Sequence, residues 1–214
     1  MTYLDAVNNV LTRLRENTVI SVVDSAYSKL IGRLVNDAKT QVENSYAWNA
    51  LQSDITVATV ASTSQYSLTG SGQGFRVLEV LNDTNDTNLY LMPLAELKRL
   101  HRTDAMTGTP KYYAFNGVNT AGDTKLELYP TPDGVYSIVV VAVVPQEELT
   151  LDTTNILVPA QPVVLGAYAR AVAERGEDSG FVSSEAYGLY KDALSDAIAV
   201  ESSRTFGDAG WSAV

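Results

Sequence analysis

The chain has 214 residues, 45% of them apolar, with no cysteine, one histidine and a formal net charge of -10. That apolar content is enough to bury the core of one large domain or two small ones, and the lack of cysteine excludes disulfides, thiolate zinc sites and thiol catalysis and fits a reducing compartment. The acid excess lies in the middle and the end, with twelve acids against six bases in residues 51–158 and eight against four in residues 159–214, so no basic face for gripping nucleic acid is in view. No apolar run approaches the length of a membrane span, the longest being Ile138 to Val144. The N-terminus lacks the basic region, apolar core and cleavage site of a signal peptide, so the expectation is a soluble protein made in a cytoplasm.

In chain order, residues 3–16 place Leu4, Val7, Leu11 and Leu14 at helical spacing. Thr18 to Val23 reads as strand. Asp24 stands as a candidate N-cap for a longer helix running to about Ser45, with Tyr27, Leu30, Ile31, Leu34, Ala38 and Val42 on one face. From Ile55 the period changes to two. Short strands are predicted at Thr56–Val60, Gln65–Leu68, Phe75–Val80 and Leu89–Leu91, then a brief helix over Pro93–Arg102, then strands at Lys111–Asn116, Lys125–Tyr129 and Val135–Val144. Helical spacing returns after Pro162 and stops at Gly176, with Val164, Tyr168, Ala171 and Val172 as the buried stripe. A last helix is expected from Glu185 to about Ser202, with Tyr190, Ala193, Leu194, Ala197 and Val200 inward.

These elements predict an α+β protein: a helical bundle formed by the N- and C-terminal helices, with an antiparallel β-sandwich-like domain inserted. The domains expected are a helical one of residues 1–50 and 159–202, a β-rich one of residues 51–158, and a C-terminal tail or arm of residues 203–214. Within that arm Phe206 and Trp211 are candidate partner-binding anchors in a polar setting.

No catalytic constellation emerges, and no cofactor or metal site. His101 has no activated-serine context and reads as a surface histidine. One histidine without cysteine leaves nearly all ligands of a zinc site to carboxylates. Asn82 to Asn88, a doubled Asn-Asp-Thr triplet, lacks the glycine and the bidentate glutamate of a calcium loop and reads as a hairpin loop. Gly70 to Gly74 is followed by a strand and by no Lys-Ser/Thr pair, so it reads as a turn and not as a phosphate loop. Glu147 and Glu148 are adjacent and point in different directions. Tyr112, Tyr113, Phe115, Tyr129 and Tyr136 are expected to pack the core and rim of the sheets, a carbohydrate groove being the other option.

Tyr46-Ala47-Trp48, Ser64 to Leu68, Leu91-Met92-Pro93-Leu94, Thr107 to Tyr113, Leu126 to Tyr136, Pro145 with Leu149, and Ala167 to Asp178 occur in an order and spacing that resemble the head-to-tail adaptors of tailed bacteriophages, in particular the tail tubular protein A type of short-tailed phages. The resemblance implies a non-catalytic structural protein of the virion, assembled in the cytoplasm of the host bacterium. It implies self-association into a ring of about twelve copies, with the portal protein and a tail or nozzle protein as partners. DNA would leave through the channel without specific binding, past an acidic wall that does not hold it. No membrane is involved. Two other readings stay open, namely another neck or tail component and a non-catalytic carbohydrate-binding β-sandwich module.

Overall fold

A computed structural model describes residues 1–176 and 181–205, and the chain divides into two compact units. The helical unit comprises Met1–Leu51 and the chain from Pro145 onward, and the β unit comprises Gln52–Val144. The protein is α+β, with terminal helices on either side of a strand-rich region in sequence.

The helical unit contains α1 (Tyr3–Arg13), α2 (Ala26–Ser45), α4 (Ala160–Arg175) and α5 (Phe181–Thr205). Thr2 opens α1 with a reciprocal capping box: its Oγ1 accepts from the Asp5 N–H and the Asp5 carboxylate accepts from the Thr2 N–H, each at 3.1 Å. The buried face of α1 is Tyr3, Ala6, Val7, Val10 and Leu11. Leu4 and Leu14, expected on it, are half-buried, so the stripe is rotated by part of a turn. Thr18 to Val23 is not a strand. Asn8 takes the place of a strand partner, accepting from the Val19 N–H at 2.8 Å and donating to the Val19 carbonyl at 2.9 Å. Asp24 is not the cap of α2 either. Its carboxylate is already used by the Ile20 and Ser21 N–H groups, and Ser25 caps the helix by accepting from the Ser28 N–H at 2.9 Å.

Helix α4 packs against α1, α2 and α5. It is therefore buried nearly all round, from Pro162 through Ala167 and again at Ala169 and Ala171, and not along the single stripe expected. Gly166 and Ala167 let the neighbours come close, with Tyr190 ring carbons 3.1 Å from where a Cβ on Gly166 would stand. Gly176 ends α4 in the left-handed region at φ 66. Helix α5 starts at Phe181, four residues before the predicted Glu185, and runs through Ser203 to Thr205, so these three residues are helix and not part of the expected arm. Along it Val200 is exposed while Glu201 is buried, its Oε1 accepting from the Asn49 N–H at 2.9 Å. Residues 145–158, grouped with the strands on sequence, are hydrogen-bonded to the start of the chain and to α2: Leu4 N–H to the Asp152 carbonyl, Tyr3 N–H to Thr154, and both polar atoms of the Asn36 amide to the Leu149 backbone at 2.9 and 3.1 Å.

The β unit holds two four-stranded sheets. The first has the order β1 (Gln52–Ala58), β8 (Ser137–Val143), β3 (Arg76–Asn82), β4 (Thr87–Asn88) and is antiparallel throughout. The second has the order β2 (Gln65–Ser67), β7 (Thr124–Tyr129), β6 (Tyr112–Val118), β5 (Tyr90–Leu91), with only β5 and β6 parallel. The predicted strand Leu89–Leu91 is thus divided: the chain leaves one sheet after Asn88, buries Leu89, and joins the other at Tyr90.

Leu126 and Leu128 of β7 and Tyr113 of β6 meet Val80, Ile138, Val140 and Ala142 of the first sheet in the core of a sandwich. The outer face of the second sheet is covered by α3 (Leu94–Thr103), whose Leu97 packs on Ala114 and Tyr129. Strand β7 is therefore buried on both faces. The register of β3 against β8 slips between Val77 and Glu79, and the bulge at Leu78 turns that side chain outward.

Candidate partner-binding surfaces

In the helical unit two loops are joined by Asp152, whose Oδ1 accepts from the Val22 N–H at 3.1 Å. They present Ile20, Val23 and Leu151 at 90%, 63% and 66% exposure, the most open apolar group of this unit among the described residues. Along α5, Tyr187, Leu189 and Val200 are also exposed. Beneath the loops the residue 145–149 segment is clamped by Lys39, whose Nζ donates to the carbonyls of Gln146 at 2.7 Å and Glu147 at 3.2 Å and forms an ion pair with Glu43. Helix α4 is anchored at its end by Arg175, which donates to Tyr27 Oη at 2.8 Å and pairs with Glu16 at 2.5 Å. Phe206 and Trp211 lie outside the described residues.

His101 is not an open surface residue of the β unit but is half-buried. The C-terminal turn of α3 lies on the second sheet, and the imidazole sits edge-on to Tyr129 at 5.3 Å, with Nε2 3.6 Å from Glu127 Oε1 and a side-chain exposure of 18%. Glu127 comes from the doubly buried β7. Its Oε2 accepts from Asn116 at 2.8 Å and from Gln65 at 3.4 Å, and Asn116 Oδ1 accepts from Lys98 of α3 at 3.2 Å. The group spans β2, β7, β6 and α3, so it fastens the helix to the sheet. Sequence reading missed Glu127, Asn116 and Gln65; the available signal was the glutamate between Leu126 and Leu128 in a strand with no turn residue.

The remaining sequence candidates find structural places. Asn82 to Asn88 is the β3–β4 hairpin, in which Asn82 Oδ1 accepts from the Thr84 N–H and Thr84 Oγ1 accepts from Ser137 N–H. Gly70 to Gly74 is a turn preceding β3, with Gly70 and Gly72 at positive φ and the Gly70 N–H donating to Asp123 Oδ1 at 3.0 Å. Tyr113, Phe115 and Tyr136 pack into the sandwich core and Tyr112 and Tyr129 on the α3 side, so the five form no common groove. Glu147 and Glu148 belong to the segment clamped by Lys39, not to a paired-acid site. Among the described residues no group of three histidines, cysteines or acids is placed to hold a metal ion. No helix among them is long and apolar enough to cross a membrane.

The family model described as SU10 adaptor protein matches residues 1–211, which takes in both compact units. No curated protein matches the chain.

Proposed function

The chain belongs to the SU10 adaptor protein family, and on that footing we propose that it forms a ring joining the portal of a phage head to the tail or nozzle. The family gives it a structural role in the phage particle, as an adaptor and not as a catalyst. The observation that carries the finer reading is the extent of the match: one adaptor family spans the helical unit and the inserted β unit together. Two units in one adaptor suit a part with two neighbours, the portal protein and a tail protein. Kinship with the tail tubular protein A of short-tailed phages belongs to the same proposal.

Ring assembly repeats one head-to-tail contact and closes only when the rotation per subunit fits. The net charge of -10 supports a channel wall that repels DNA, since like charge keeps a polyanion from adhering. Phe206 and Trp211 serve in this reading as anchors on the portal or the adjacent copy. The test is native mass measurement with negative-stain imaging of the protein, alone and mixed with its portal. A monomer that becomes a ring of about twelve copies on the portal is the expected outcome; a species that stays monomeric and ignores the portal overturns it. Removing residues 206–214 should weaken portal docking, and unchanged docking would take the anchor role away from Phe206 and Trp211.

A further inference from the structure

A notch of about 690 Å³ opens in the β unit between the β3–β4 hairpin loop and the start of β6. We propose that it binds a neutral hexose glycan, with a sugar ring seated on Tyr90 and Tyr112. The walls are fixed by the fold. The Tyr90 N–H donates to the Lys111 carbonyl at 2.9 Å, Asn85 Nδ2 reaches Thr109 Oγ1 at 3.5 Å, and Asn88 Nδ2 donates to Glu79 Oε1 at 2.7 Å.

The two tyrosine rings stand 6.4 Å apart and inclined at 48°, so they form an angled pair and not a stack. Tyr90 is 66% exposed at the edge of its sheet. An aromatic face carries negative charge density and attracts the weakly positive C–H groups of a pyranose ring. Around the rings, the Asp86 carboxylate, the Lys111 ammonium and both phenol groups have no protein partner among the described residues. With the Asn85 and Asn88 amides beside them, they supply the paired donors and acceptors that neighbouring hydroxyls need.

Charge decides among ligand classes. Asp86 and Lys111 offset each other, so the notch attracts neither a polyanion such as nucleic acid nor a cationic peptide. Its lining mixes polar and apolar surface and carries both a carboxylate and an ammonium, which does not suit an apolar peptide in need of a dry groove with a few anchors. A polyhydroxylated ring with one apolar face meets both requirements. Binding of this kind needs neither ring assembly nor a portal.

Saturation-transfer NMR on the full chain with maltohexaose, cellohexaose and a short dextran tests it, with a sulfated heparin fragment as the anionic control. Transfer from at least one neutral oligosaccharide is expected, with a dissociation constant on the order of 1 mM. Tyr90 is exposed, and Asp86 is exposed at φ 50, a left-handed conformation that glycine adopts without strain. Asp86→Gly and Tyr90→Ala should therefore each weaken it roughly tenfold with an unchanged circular dichroism spectrum. No transfer from any of the three, transfer unaffected by both variants, or preference for the heparin fragment would each overturn the assignment.

Discussion

Lys39 and Glu43 face each other one turn apart on α2 at 3.1 Å, with 2% of each side chain exposed. The ammonium also holds two carbonyls of the returning chain, so the pair is the point at which α2 grips the Gln146–Glu147 backbone. Such a pair is costly to bury and costlier to break. Lys39→Met should destabilise the protein by roughly 3–5 kcal/mol, because it strands the Glu43 carboxylate in the interior. The double variant Lys39→Met with Glu43→Leu should regain much of that loss. Urea unfolding of the three proteins checks it, and a double variant no more stable than Lys39→Met would contradict the explanation.

Two carboxyls give the stability a pH dependence of opposite sign. Burial raises the Glu43 carboxyl above its ordinary range, with the Lys39 ammonium pulling the other way. The native chain then keeps a proton that the unfolded chain has released, so this contribution is present at low pH and is lost as pH rises from the ordinary glutamate value through the raised one. Asp5 behaves in reverse. The hydrogen bonds it shares with Thr2 lower its carboxyl, and its contribution is present above the ordinary aspartate value and lost as pH falls through the lowered one. Unfolding midpoints at closely spaced pH should lose the first slope in Glu43→Gln and the second in Asp5→Asn.

Gly32 should not tolerate a methyl group. A Cβ there would meet Tyr3 Oη and lie 2.7 Å from Val22 Cγ1, both buried. Gly32→Ala gains helix propensity but overpacks the α1–α2 contact, for a net loss of about 1–3 kcal/mol. Adding Tyr3→Phe should recover part of it by removing the hydroxyl in the way. Thermal unfolding of the single and double variants separates the two terms.

His101→Ala removes both the edge-on contact to Tyr129 and the group nearest Glu127 Oε1. The loss expected is about 1–2 kcal/mol. It should be local. Hydrogen exchange should speed up at the amides of Leu97 to Thr103 in α3, with little change in β8, where the sandwich core is remote from the imidazole. Equal acceleration in both elements would show that the group supports the whole β unit and not the helix.

Much of this fold was readable as period. Alternation found the long strands, and the 3.6 repeat found four of the helices and the brief α3 within a few residues. What escaped was decided by partners distant in sequence. Val19 looks like a strand residue and would pair as one, but Asn8 satisfies its backbone from a helix. Helix α4 shows no stripe because three helices surround it, a fact of assembly and not of its own sequence. His101 is charged company in sequence, beside Arg99 and Arg102, yet the order of strands places Glu127 and Tyr129 beneath it. Along the 25 residues of α5 the inward face drifts until Glu201, not Val200, points inward, where its carboxylate accepts from the Asn49 N–H.

The chain enters the β unit at Gln52 and leaves near Val143, and these two residues are register partners on adjacent strands. Both crossings thus occur within the width of one strand pair, about 5 Å. A chain built this way has a natural splice point: a short glycine linker from Leu51 to Pro145 spans the gap left when the strands are excised. A helical frame could keep its own fold while accepting a different insert at the same joint, so that one unit would diversify without the other having to change.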